Sequence, residues 1–265
     1  MMKLTWLVLG LVIALGATTK SAQEQVLPIV TQIQRADYEG NRAALLELYR
    51  ALEPYEKNET IASRVAYWRG FALWRRALNG FNDKVPAQEL AQDLQQALSE
   101  FQKSSAADPN FIDADVGAIS CLSNLMFLNR NDSAKTGELV AQAAPLTKKA
   151  KAADADNPRL LWVLGANQWY APPERGGGQE KAIATYEKGL EIIRKQQTRS
   201  GSPLDPSWGE PELLMNLSWS NLNKTPPDVK VAHRDAQAAL TLVPYWHYVR
   251  DILMPQIQAA AKANP

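Results

Sequence analysis

The sequence predicts an all-helical fold, a curved solenoid of about five helical hairpins ended by a C-terminal capping helix. Three observations predict it. From Gln23 onward, apolar residues recur at helical spacing in segments of about fifteen to twenty residues, and no segment alternates with a period of two. Glu53-Pro54, Asp108-Pro109, Asn157-Pro158 and Val243-Pro244 each stop one helical pattern, because proline cannot continue a helix and biases the residue before it toward extended geometry. Counting back from three of these prolines uncovers one spacing three times: Ala97, Phe101, Ser104 and Pro109; Leu146, Ala150, Ala153 and Pro158; Ala232, Ala236, Ala239 and Pro244.

That spacing describes the second helix of a hairpin. Small residues let two helices approach, a larger apolar residue fills the gap one turn away, and the proline ends the helix before the next unit. Residues from Gln23 to Tyr55 form an irregular N-terminal pair that fits the spacing poorly. The first helices that follow are expected over Ile61 to Leu78 with Gly70, Ile112 to Phe127 with its small position at Gly117 or Ser120, Arg159 to Tyr170 with Leu164-Gly165, and Glu212 to Asn223 with Leu217-Ser218. Ala182, Tyr186 and Gly189 keep the second-helix spacing without a terminal proline. The segment from Trp246 to Ala263 is the cap, broken or kinked at Pro255.

Upstream, Met1-Met2-Lys3 and the apolar run from Leu4 to Ala17 have the form of a secretory signal. The expected division is therefore a signal peptide at 1–22 and a repeat domain at 23–265, with cleavage between Ala17 and Gln23. The competing reading is an uncleaved anchor. The run is short for a bilayer span, so the mature chain is expected to have no membrane span. Twenty-nine basic residues against 28 acidic ones leave a net charge of +1, which offers no electrostatic footprint for nucleic acid. The single cysteine, Cys121, excludes an internal disulfide.

The helix-packing spacing resembles that of the tetratricopeptide repeat (TPR) family, whose second helix carries small, aromatic, small and proline positions and whose first helix carries a small residue at the crossing. The resemblance implies a right-handed superhelical α-solenoid with a concave, groove-forming face. Asn157-Pro158-Arg159, Tyr170-Ala171-Pro172-Pro173-Glu174, Gly176 to Ala182 and Trp208-Gly209-Glu210 also look like a group of exported bacterial repeat proteins, which implies a periplasmic or secreted location. With Gly70 and Gly165 at the small position, the family's groove-lining positions correspond to Tyr67, Phe71, Trp74 and Arg75 in one unit. They correspond to Trp162, Trp169 and Tyr170 in another, and to Met215 and Trp219 in a third. Aromatic side chains give large contact area at small entropic cost. The alternative for the same stripe is that it packs the core between repeats or lies under a terminal helix.

No arrangement of residues points to catalysis. His233 and His247 stand apart, without a second histidine at helical spacing or a cysteine partner, so neither a metal nor a cofactor is expected. His247 sits among Tyr245, Trp246 and Tyr248 and reads as a packing residue. Asp113, Asp115, Asp154 and Asp156 read as helix-end carboxylates, and Ser207 with Glu210 as a capping box. Gly176-Gly177-Gly178 lacks the lysine and hydroxyl residues of a phosphate loop and reads as a structural insertion. The expectation is a non-enzymatic adaptor that holds a protein or peptide partner on its concave face. Its alternative is a carrier that encloses an apolar small ligand.

Overall fold

The computed structural model describes residues 20–196 and 201–263, so the apolar run of the predicted signal lies outside the described residues. Among these, ten helices form five antiparallel hairpins: α1 (Ala22–Tyr38) with α2 (Arg42–Ala51), α3 (Ala62–Asn82) with α4 (Ala87–Ala107), α5 (Ile112–Leu128) with α6 (Ser133–Asp154), α7 (Pro158–Tyr170) with α8 (Gln179–Lys195), and α9 (Glu210–Asn223) with α10 (Val229–Leu242). A wide π-helical turn, Tyr248–Leu253, then runs into α11 (Met254–Ala263). The five hairpins and C-terminal cap expected from the spacing are present, and no strand occurs among the described residues.

Helix starts follow from local chemistry. Ser21 and Glu24 form a reciprocal capping box at α1: the Glu24 backbone N–H donates to the Ser21 hydroxyl (3.2 Å) and the Ser21 N–H to the Glu24 carboxylate (2.7 Å). At α7 the Asn157 carboxamide accepts from the backbone of Arg159 (2.9 Å) and Leu160 (3.1 Å). Pro158 thus occupies the first helical position, where its missing N–H costs nothing. At the cap, the widened turn immediately precedes Pro255, where proline supplies no backbone donor to the preceding turn.

The small positions do what the spacing implies. A Cβ on Gly70 would meet the Phe101 ring at 3.1 Å, and one on Gly117 would meet the same ring at 2.5 Å. Phe101 is therefore clasped between its own hairpin and the next. A Cβ on Gly165 would overlap the Tyr186 ring. Gly165→Ala is expected to destabilise the fold by about 1–3 kcal/mol through overpacking. Gly137→Ala, on α6 with nothing within 4 Å, should instead add about 0.5–1 kcal/mol. Urea unfolding of both variants measures the contrast.

The hairpins do not form an open crescent. The end of α1 reaches the C-terminal segment, where Tyr38 packs edge-on to Trp246 (ring centroids 5.0 Å apart) and Arg35 lies over the Tyr245 ring. Gly40, at φ +70°, leaves room for the His247 ring, which a Cβ would approach to 3.0 Å. The interior of this closed curve is filled in part by the chain itself. The connection between α8 and α9 dips into it and buries Leu204 and Trp208.

Candidate functional site

The concave face divides into a filled half and an open half. In the filled half, the Trp68 indole N–H donates to the Leu204 carbonyl (2.7 Å), and the Trp208 indole N–H donates to the Tyr67 hydroxyl (2.8 Å). Trp208 also packs against Phe71, Trp74 and Trp162, with ring centroids 5.6–5.9 Å apart. Tyr67, Phe71 and Trp74 are consequently about 1% exposed or less. The expectation that these three line an accessible groove is corrected: they are core, and their cover is an internal connection rather than a terminal helix. Burial pushes the Tyr67 phenol far above its usual range.

The other six predicted residues, Arg75, Trp162, Trp169, Tyr170, Met215 and Trp219, converge on one cavity of about 290 Å³. Helices α3, α7 and α9 supply them, each being the first helix of its hairpin. Trp169 and Trp219 meet edge to face at 5.1 Å. Tyr170, 73% exposed, stands at the rim. Lining residues that the sequence did not point to are Phe81, Asn79 and Asn82 on α3, Tyr186 on α8, Asn216 on α9, and Trp246 and Tyr248 from the cap. Tyr186 was legible only as a packing position, and the cap residues are brought in by closure of the curve. Burial raises the Tyr186 phenol well above its ordinary value and pushes Tyr248 up to about 12.

Behind the cavity lies a buried polar network. The Arg75 Nε donates to Asp37 (2.7 Å), Asn79 donates to the same carboxylate (3.0 Å), and the Tyr38 hydroxyl donates to Glu212 (2.7 Å). Glu212 in turn accepts from the Gly209 N–H (2.8 Å) at the start of α9. The cap of this helix is therefore built by Gly209 and Glu212, not by Ser207 and Glu210. Ser207 instead accepts from Gln34 of α1 (2.8 Å), and Gly209 takes φ +139°, a conformation suited to glycine. Burial works against the charge on Arg75, but Asp37 and Glu212 outweigh it and hold its pKa above the ordinary value.

Burial raises the Glu212 carboxyl against the lowering pull of Arg75 and Tyr38. A raised folded-state pKa means that the native chain binds the proton more tightly than the unfolded one. The stabilisation from Glu212 is then complete below its unfolded pKa and is lost as pH rises through the folded value. Glu212→Gln keeps an acceptor for Gly209 and is expected to flatten this dependence. Wild type should lose stability relative to the variant as pH rises above about 4.5, as read from urea midpoints across a pH series.

Several remaining residues have structural employment. Asp113 stands in the first turn of α5 as expected, and it also receives Arg159 through Nε (2.7 Å) and Nη2 (2.9 Å) in the core. Asp115 is buried against Lys149 (2.7 Å), whereas Asp156 makes an exposed pair with Lys188. Gly177 and Gly178 donate their N–H groups to Pro172 and Gln168 carbonyls, so the glycine insertion is internally bonded. His247 bonds Asp251 (2.8 Å). Cys121 is fully buried and its thiol is pushed up by burial. Among the described residues no cluster of histidine, cysteine and carboxylates could hold a metal ion. No helix among them is long and apolar enough to cross a membrane.

The cavity presents indole and phenol surfaces to a flat group, with the polar side chains of Arg75, Asn82 and Asn216 beside them. No carboxylate stands among its described lining residues. The stacked antiparallel hairpins make this a TPR-like α-solenoid. Among solved structures, a thermophilic TPR protein from Thermus thermophilus is similar, with a TM-score of 0.52, 18% identity, and coverage of 91% of this chain and 100% of that one. Neither a protein-family model nor a curated protein sequence matches the chain.

Proposed function

We propose that the chain is an exported, non-catalytic binding protein that anchors an apolar segment of a protein partner in its concave cavity. The observation that carries this reading is the convergence of Arg75, Trp162, Trp169, Tyr170, Met215 and Trp219, from three separate repeats, on one aromatic cavity. Support for export comes from the charged start and apolar run ahead of the repeats. The filled half of the face supports this reading by analogy, since it already holds a connecting segment of the chain through an indole–carbonyl bond and a buried tryptophan.

A photo-crosslinking residue at rim position Tyr170 tests the reading in cells, against one at Val140, which is 51% exposed on α6. The expected result is one defined protein adduct at Tyr170, lost in a Trp219→Ala background and not formed at Val140. Equal labelling at both positions overturns it.

A second reading, a carrier for a small apolar ligand, draws on the cavity volume of about 290 Å³, at the lower end of small-molecule pockets. Native mass spectrometry of the purified protein separates the two: a copurifying small molecule that is absent from Trp219→Ala supports the carrier.

A further inference from the structure

Three arginines of the described chain are buried: Arg69, Arg75 and Arg159. Two of them are used in the same way. Arg159 is fixed by the Asp113 carboxylate, lies over the Trp208 ring with its guanidinium carbon 5.7 Å from the centroid, and donates Nη1 to the backbone carbonyl of that same tryptophan (3.0 Å). Arg69 is fixed by Glu56 (2.7 Å) and Glu100 (3.3 Å), lies 4.0 Å over the Tyr49 ring, and donates Nη1 to the carbonyl of that same tyrosine (2.9 Å). In both places a carboxylate orients the guanidinium, and the guanidinium holds one aromatic residue by its ring face and its peptide oxygen together.

Arg75 has the orienting carboxylate and also lies over rings of the filled half, Trp74 (5.4 Å) and Phe71 (5.8 Å), but among the described residues has no carbonyl partner. Asp37 fixes it through Nε at 2.7 Å, and among the described residues this is the only hydrogen bond its guanidinium makes. It lines the cavity, whose walls include Trp169 and Trp219. Its charge is already matched by Asp37, with Glu212 nearby. A further carboxylate would therefore meet two negative groups, whereas an uncharged carbonyl oxygen meets a free donor edge. Hydrogen bonds from a charged donor to a neutral acceptor need no third charge.

We propose that the cavity is a receptor for an aromatic residue within a peptide chain, its ring packed against the indoles of Trp169 and Trp219 and its backbone carbonyl accepting from Arg75, as the Trp208 carbonyl accepts from Arg159. This assignment rests on the reading of the cavity as a binding site and names what that site recognises. It makes the ligand an uncharged aromatic amide rather than a bare hydrocarbon ring or an aromatic acid.

Isothermal titration with three probes tests it on the unaltered protein: N-acetyltryptophan amide, which has ring and amide carbonyls; 3-methylindole, which has the ring alone; and N-acetyltryptophan, which ends in a carboxylate. The amide is expected to bind about tenfold more tightly than either of the others. In Arg75→Met the ratio of amide affinity to 3-methylindole affinity should fall to about one. Asp37→Asn, which leaves Arg75 without its orienting charge, should shrink the amide's advantage and improve binding of the acid. Equal binding of the amide and 3-methylindole to wild type, or tighter binding of the acid, overturns the proposal while leaving the cavity a binding site. Binding of none of the three overturns both readings. The wild-type ranking decides the outcome even if the Arg75 variant fails to fold.

Discussion

Trp208→Ala is expected to remove about 3–5 kcal/mol of stability and to lower the melting temperature by roughly 10 °C. The residue lies in a connection between helices, where substitutions are ordinarily mild. Here the connection has become core. Trp208 is 3% exposed and touches rings from Phe71, Trp74 and Trp162, so its removal opens a void that three large, rigid side chains cannot close. The Tyr67 hydroxyl also loses its indole donor in a fully buried setting. Thermal and urea unfolding check the value. Tyr170→Ala, at the exposed rim, should stay within about 0.5 kcal/mol of wild type.

Asp113→Ala is expected to cost about 3–5 kcal/mol, because it strands the guanidinium of Arg159 in a buried site. The loss is larger than the worth of the pair itself, since the remaining charge keeps its desolvation penalty without compensation. Asn157 Nδ2 donates to the same carboxylate (3.2 Å) while its carbonyl oxygen caps α7, so the start of that helix is loosened as well. Arg159 is moreover the group that holds the Trp208 carbonyl. The Asp113→Ala, Trp208→Ala double variant should therefore fall short of the sum of the two single losses by about 1 kcal/mol or more, as for residues in one network. Full additivity in equilibrium unfolding would show that the arginine does not couple the connection to α7.

Hairpin number, first helices and crossing glycines were all legible, because they rest on contacts between neighbouring segments. Gly70 against Phe101 and Gly165 against Tyr186 are within-hairpin contacts, and local spacing encodes them directly. The fate of the aromatic stripe was not legible. Tyr67, Phe71 and Trp74 carry the same pattern as Trp169 and Trp219, and what separates them is a segment more than a hundred residues away folding back onto one half of the face. The core pairing of Asp113 was hidden for the same reason: its place in the first turn of α5 is a local feature, whereas its partner Arg159 stands on α7. Trp246 and Tyr248 belong to the cavity through closure of the chain's two ends, which no local pattern announces.

That closure bears on how such a chain can change over generations. In a simple array each unit meets only its neighbours, so units are gained or lost by duplication and deletion with little penalty beyond one interface. Here Tyr38 in the first hairpin packs against Trp246 after the last one, and donates to Glu212 in between. Adding or removing one hairpin would part these residues and open the aromatic cavity between them. The closed curve therefore makes the copy number a fixed quantity, and variation is confined to the outward surfaces and the lengths of outer loops.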